Sequence, residues 1–388
     1  MNIGIDASRS FIPQRTGTEN YSFNLIKSLL ETDKKNKYTL YLNNMEKSLE
    51  SSLFNVSEIS TKDRGDDRNV SSRIIKLPRL WTQLGLAFEC LVDTPDILFV
   101  PAHTLPVIRK PSLKTVVTIH DLGYEYLKEF HTFPNKIYLN WSTIYASRFA
   151  SHIIAVSEAT KKDLFQRFSI NPEKVSVIYE GYNQELFRPI RIIEAQGKVE
   201  KKYGLKNDYI LFVGTIQPRK NLIRLIEGFS LLARKIDKVD LVLVGKPGWL
   251  NEEIYKHPKK LRLEKRVHFL NYVPDNDLPD LYSAAKVFAL PSLYEGFGLP
   301  VIEAMACGCP VVTSATSSLG EIGGDATILV DPYNVEEISA SLYRVISEND
   351  LRRSLVSKGL KRVERFSWKN CAIETLEVFE KVYENKNS

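Results

Sequence analysis

What most limits how this chain can fold is a series of short, unbroken apolar segments separated by stretches with helical spacing. NIGID (2–6) precedes ENYSFNLIKSLLE; YTLYL, DILFV, TVVTIH, HIIAVS and VSVIY follow, with NKIYLNWSTIYASRFA and EATKKDLFQRF among them. A strand with one wet face alternates apolar and polar residues, so segments that do not alternate are buried on both faces. Such strands, separated by helices, predict a parallel sheet covered on both sides. The series pauses at 183–208, NQELFRPIRIIEAQGKVEKKYGLKND, a polar and charged stretch that reads as a domain junction. It then restarts with YILFVG, NLIRLIEGFSLLARKI, VDLVLVG, a helix near 250–262, VHFLNY, DLPDLYSAA, VFALPS, PVVTS, TILV and a long helical tail from Val335.

A chain of 388 residues is too long for one ordinary core. The expected architecture is α/β: two Rossmann-like domains, 1–187 and 188–367, facing across a deep cleft, with a helix at about 368–388 returning to the first. Ligands of such sheets bind beyond the carboxyl ends of the strands, where helix N-termini gather.

Charge narrows the partners. With 53 Lys and Arg against 47 Asp and Glu, the formal charge of +6 reads first as ordinary surface charge, well short of a nucleic-acid coat and compatible with a phosphate-bearing ligand or an anionic membrane surface. Cys90, Cys307, Cys309 and Cys371 lack the C-x-x-C spacing of a zinc site and read as reduced core residues of a cytoplasmic protein. The opening MNIGIDAS reads as a strand rather than a secretory signal, and no apolar run approaches the ~18 residues of a membrane span.

One stretch carries chemistry: SLYEGFGLPVIEAMACGCPVV, 292–312. VFALPS delivers the chain from a strand to Glu295; Gly296 and Gly298 allow a sharp turn with bare backbone, and Pro300 suits a first helical turn. The amides of Phe297, Gly298 and Leu299 are therefore expected to face outward at the positive end of a helix, ready for a phosphate or sugar hydroxyls. Glu303, about one turn on, is placed to accept from vicinal hydroxyls such as those of a ribose, and Glu295 to reach another part of the same ligand. Singly, the plainer readings are a loop acid for Glu295 and a helix-dipole partner for Glu303. Strand end, turn and paired acids together point to a ligand.

Glu295, seven residues, then Glu303, set in EGFGLPVIEAMACGCPVV, resembles the E-x7-E motif of the family 4 retaining glycosyltransferases, and the likeness covers nearly the whole chain. The resemblance implies the GT-B fold and transfer of a sugar from a nucleoside diphosphate donor with retention at the anomeric carbon. In that light FVGTIQPRKNLIRLIEGF (212–229) resembles the segment whose bases hold the donor diphosphate, here Arg219 and Lys220. Many members carry an arginine directly after the glycine of F-V-G, whereas this chain has Thr215, leaving Arg219 to stand in. TVVTIHD (115–121) resembles the strand that ends in the active-site histidine, His120, with Asp121 either orienting it or capping the next segment. RTGTENY (15–21) aligns with a glycine-rich turn near the donor phosphates, with only Gly17 between threonines.

The implied roles are catalytic for His120 and Glu295 and donor-binding for Gly17, Arg219, Lys220, Phe297, Gly298, Leu299 and Glu303. No metal or cofactor is expected; Asp275-Asn276-Asp277 looks like a D-x-D metal motif but reads as a helix start. PDILFVPAHTLP, HDLGYEY and GTIQPRKNL resemble the bacterial mannosyltransferase-like branch, which makes GDP-mannose the favoured donor and a UDP-sugar the alternative. The implied acceptor is a growing glycan on a lipid carrier, as in O-antigen or exopolysaccharide assembly. For LPRLWTQLGLAFECLV (77–92), an amphipathic stretch, core packing is the expected role and membrane contact, at the inner face, the alternative. Two rival functions are a sugar-nucleotide 2-epimerase and a non-catalytic nucleotide-sugar-binding partner.

Overall fold

The computed structural model describes residues 1–11, 17–43, 69–77, 80–123 and 133–384. They form two compact units: one holds the chain up to Leu122, the stretch through Gly181 and the helix from Trp368, and the other holds Tyr182–Ser367.

The first unit runs β1 (Asn2–Asp6), α1 (Gly17–Thr32), β2 (Lys37–Leu42), β3 (Val70–Ile74), a π-helical turn (Trp81–Leu86) continuing into α2 (Ala87–Val92), β4 (Ile97–Val100), β5 (Lys114–Ile119), α3 (Phe133–Phe149), β6 (His152–Ala155), α4 (Glu158–Phe168) and β7 (Val175–Val177). Its sheet is ordered β3-β2-β1-β4-β5-β6-β7 and its strands pair in parallel. β4 and β6 are buried from end to end, as non-alternating apolar strands must be.

The second unit repeats the plan with α5 (Ile192–Tyr203), β8 (Asp208–Val213), α6 (Leu222–Ala233), β9 (Val239–Val244), α7 (Glu252–Lys260), β10 (Val267–Asn271), α8 (Leu278–Ala284), β11 (Val287–Leu290), α9 (Leu299–Ala306), β12 (Val311–Ser314), α10 (Ser317–Gly323), β13 (Thr327–Val330), α11 (Val335–Ser347) and α12 (Asn349–Val363). Its parallel sheet is ordered β10-β9-β8-β11-β12-β13. The closing helix α13 (Trp368–Glu384) is part of the first unit, where Phe379 meets Phe99 edge-on at 5.2 Å between ring centroids.

In each sheet the strand order reverses beside the first strand, between β1 and β4 and between β8 and β11. Loops leaving the carboxyl ends at such a reversal splay apart and leave room for a ligand. In the second unit those loops carry Arg219, Lys220 and Glu295.

Two expectations are revised. The passage between units falls at Gly181–Tyr182, ahead of the 187/188 boundary, and most of the polar stretch 183–208 is not a linker. It is α5, a surface helix of the second unit that buries Ala195 and Val199, one turn apart, and ends on Gly204 in the left-handed region. The stretch 80–92 divides its residues: Trp81, Leu86 and Cys90 enter the core, while Leu80, Leu84, Phe88 and Val92 stay exposed. All four cysteines are unpaired and buried, and burial pushes the Cys90 thiol up to about 12. Among the described residues no helix is long and apolar enough to cross a membrane.

Candidate active site

The second unit supplies the denser cluster. β8 and β9 leave the sheet through Gly214 and Gly245, whose φ angles of 153° and 152° favour glycine. A Cβ on Gly245 would fall 1.8 Å from the Gly214 carbonyl oxygen, so the two exits meet backbone to backbone. Beyond Gly214 a turn of 3-10 helix, Pro218–Lys220, ends on Asn221 in the left-handed region. The Asn221 side-chain amide donates to the carbonyls of Pro291 (3.0 Å) and Pro332 (2.6 Å), which fixes the turn against the exit of β11.

That anchorage aims Lys220 at Glu295. The ammonium of Lys220, 8% exposed, donates to Glu295 Oε1 at 2.6 Å, and Arg219 Nη1 lies 3.5 Å from Glu295 Oε2 while donating to the Tyr294 carbonyl. Glu295 is 7% exposed. Burial alone would raise its carboxyl, but the charges of Lys220 and Arg219 outweigh burial and hold it below the usual carboxylate range. Acid and bases that the sequence offers as separate ligands of a donor form one charge cluster.

The turn after Glu295 follows expectation in its backbone. Gly298 has φ 112°, and a Cβ there would come within 2.6 Å of Leu319 Cδ2, so this position requires glycine twice over. Pro300 sits in the first turn of α9. The Ser318 hydroxyl reaches the carbonyls of Glu295 (2.9 Å) and Phe297 (2.8 Å), bracing the turn from behind. Among the described residues the amides of Gly298 and Leu299 find no internal acceptor, which leaves them for a ligand at the helix start. The Phe297 ring is buried edge-on against Phe366.

Glu303 stands in a different environment on α9. It is half-buried and takes a hydrogen bond from the Tyr282 hydroxyl at 3.1 Å. Burial pushes its carboxyl up to about 7, with the charge of Asp275 adding to the rise and Tyr282 opposing it. Asp277 is engaged elsewhere: its carboxylate accepts from Lys202 Nζ (2.5 Å) and Tyr203 Oη (2.6 Å), tying α8 to α5 rather than capping a helix.

In the first unit His120 follows β5 directly and is buried. Its Nε2 is 2.9 Å from the Pro101 carbonyl oxygen, its Nδ1 is 3.5 Å from Glu180 Oε1, and its ring stands edge-on to Tyr21 at 4.6 Å. The acid facing Nδ1 is Glu180 rather than Asp121. His103 lies 5.7 Å away, ring to ring, and burial together with the nearby His120 drives it down to about 4. Gly17 opens α1, and among the described residues a Cβ there would meet nothing within 4 Å. Arg15 and Thr16 of the same loop, Tyr124, Glu125 and Tyr126 of HDLGYEY, and Pro78 and Arg79 lie outside the described residues.

Sequence reasoning missed Glu180, His103 and Tyr282, and read Asp275 only as part of a helix start. Glu180 carried a usable signal, an acid just past the carboxyl end of β7. Tyr282 did not, because it lies within an apolar helix.

Comparison with known proteins bears on this geometry. Residues 15–186 match the family described as Glycosyltransferase Family 4, and residues 195–362 match Glycosyl transferases group 1. The chain is 32% identical over 267 residues to O-antigen chain mannosyltransferase B of Escherichia coli, covering 69% of this chain and 70% of that one. Other E. coli mannosyltransferases are longer, and the chain spans about a third of their length (34–35%). Its fold is that of sucrose-phosphate synthase from Thermosynechococcus elongatus (TM-score 0.77, 18% identity, 99% of each chain). It is also that of Anabaena HepE solved with UDP-glucose (TM-score 0.75, 19% identity, 98% of this chain and 99% of that one).

Proposed function

The chain belongs to the family 4 glycosyltransferases and has their GT-B fold, and on that premise we propose that it moves a mannosyl group from GDP-mannose to a hydroxyl of a growing, lipid-carried glycan. At the coarser level it is a hexosyltransferase working on a nucleotide-sugar donor and a glycan acceptor. The observation that carries the reading is the Lys220–Glu295 pair, 2.6 Å apart at the sheet reversal, beside a helix start whose Gly298 and Leu299 amides lack internal acceptors. The mannosyl assignment leans on the 32% identical O-antigen mannosyltransferase.

In this proposal the donor diphosphate takes the place that Glu295 holds against Lys220. A diphosphate brings more negative charge to Lys220 and Arg219 than one carboxylate does, and the two amides add donors that Glu295 does not use. Glu295, released, turns to hydroxyls of the donor sugar, and Glu303 accepts from the ribose. As the anomeric bond breaks, charge gathers on the leaving diphosphate, where the same cations and amides stabilise it without reorganising. The acceptor hydroxyl attacks from the leaving-group side, passing its proton to the departing phosphate, so configuration is retained and no metal is called on. His120 is assigned to the donor sugar, and to reach it the ring must give up Pro101 or Glu180 for a sugar hydroxyl.

A second reading, a UDP-sugar donor, is favoured by the likeness to HepE, which was solved with UDP-glucose. Thermal shifts with GDP-, UDP- and ADP-sugars separate the two, since a ligand of the folded state raises its melting point. A response to UDP-sugars alone moves the donor to UDP. Donor turnover is expected to vanish in His120→Ala while the thermal shift persists; unchanged turnover removes His120 from the mechanism. Isomerised donor after incubation without acceptor would make the chain an epimerase instead.

A further inference from the structure

Both nitrogens of the His120 ring face oxygen. Nε2 lies 2.9 Å from the Pro101 carbonyl, which can only accept, so this nitrogen carries a hydrogen. Nδ1 lies 3.5 Å from Glu180 Oε1, within ion-pair distance. Glu180 follows β7 and is 4% exposed, and among the described residues its carboxylate has no other cation and no hydrogen-bond donor beside it. Packing holds the ring in this orientation. Tyr21 of α1 stands edge-on to it at 4.6 Å, itself held by the Thr118 hydroxyl and by Trp368 of α13.

These contacts fix how many protons the ring holds. With a hydrogen on Nε2, Nδ1 carries either a lone pair or a second hydrogen. A lone pair would be set against a carboxylate between two buried groups, where the repulsion is poorly screened. A second hydrogen turns that repulsion into an ion pair, and a proton shared by an acid and an imidazole rests on the imidazole, the stronger base by about two pKa units. His103 agrees with a charged neighbour: its ring, 5.7 Å away, is driven down to about 4 by burial and by His120. Among the described residues no other carboxylate lies at ion-pair distance from the His120 ring. Burial pushes Tyr21 and Cys371 up, so both stay neutral, and Asp121 and Arg9 act on His103 with opposite signs. We infer that Glu180 is a positioning residue: through Nδ1 it keeps His120 doubly protonated, so that Nε2 always presents a hydrogen and the ring donates to the donor sugar rather than accepting from it. Of its two partners it is then Pro101 that His120 gives up for the sugar, and a ring so charged takes no proton from the acceptor. The sugar contact rests on the role proposed above for His120; the proton count does not.

The test reads the ring directly in the full chain, by long-range nitrogen-15 NMR of histidine-labelled protein at neutral pH. The His120 signals are identified by their loss in His120→Ala. In the wild type both ring nitrogens are expected to be protonated. Glu180→Gln keeps the size of the side chain and removes its charge, and there one nitrogen is expected to lose its proton. A wild-type His120 with a single proton overturns the inference, and so does a doubly protonated ring in Glu180→Gln. Nucleotide release from the sugar donor that raises the melting point gives a second readout. Glu180→Gln is expected to lower kcat about tenfold at neutral pH, equivalent to one pKa unit of lost protonation, with donor KM unchanged and the rate recovering as pH is lowered. A loss of equal size at every pH, tracking a lower thermal melt, makes Glu180 structural only and overturns the positioning role. Unchanged turnover in His120→Ala removes the histidine from the donor chemistry while the NMR result still decides the pair, so the two failures are told apart.

Discussion

Glu295 and Glu303 belong to one nine-residue motif, yet their surroundings move their carboxyls in opposite directions. Glu295 is the more deeply buried and should be the harder to ionise, but Lys220 and Arg219 keep it charged. Glu303 is less buried and, among the described residues, has no cation at ion-pair distance; burial, with the charge of Asp275 adding and the Tyr282 hydrogen bond opposing, raises its carboxyl to about 7. The difference teaches that burial sets the penalty for a charge while the neighbour decides whether it is borne. Glu295 balances the buried charges of Lys220 and Arg219, and Glu303 is poised to titrate near neutral pH.

The sharpest way to break the comparison is Glu295→Ala. It takes from the buried Lys220 ammonium its closest carboxylate, and the expected loss is about 3–5 kcal/mol of stability by urea denaturation, with donor turnover down about 10²–10³-fold. A loss under about 1 kcal/mol would show that the pair is not a structural counterweight. Between the two acids, Gly298→Ala forces a side chain into the left-handed region and against Leu319; about 1–3 kcal/mol is expected. Its donor affinity should fall with its melting point, since the helix start is displaced.

Acidity separates the acids directly. Glu303, raised from 4.5 to about 7, binds a proton in the folded chain that the unfolded chain has released. Its contribution to stability is therefore present in full below pH 4.5 and is lost as pH rises toward 7, by on the order of 1–3 kcal/mol. Glu295, lowered, contributes above the ordinary carboxyl value and loses that contribution as pH falls through its depressed one. Glu303→Gln should flatten the stability–pH profile between pH 4.5 and 7 and leave the acid limb intact. An unchanged slope in that window would remove the contrast. Tyr282→Phe is the mildest probe: it removes one hydrogen bond, about 1 kcal/mol, and moves the Glu303 midpoint further up, readable by carbon-13 NMR of the labelled carboxyl.

Much of the fold was legible before the coordinates. Unbroken apolar runs such as VDLVLV and DILFV mark strands buried on both faces, because burial leaves its pattern in consecutive residues. The Gly298–Pro300 turn was legible for a similar reason, since backbone permission belongs to the residue itself. Composition misled at 183–208, where Ala195 and Val199 together with the Lys202 and Tyr203 contacts to Asp277 seat α5 on the second unit.

The candidate site was legible as a set of residues but not as a set of relationships. Lys220 and Glu295 meet across 75 positions of sequence, and His120 finds Glu180 rather than its neighbour Asp121. By itself the sequence determined where strands, turns and family motifs fall, because those depend on local periodicity and on what each backbone position tolerates. Only the tertiary structure decided which acid is charged and which is poised, because that depends on distance and burial among groups the chain brings together from far apart.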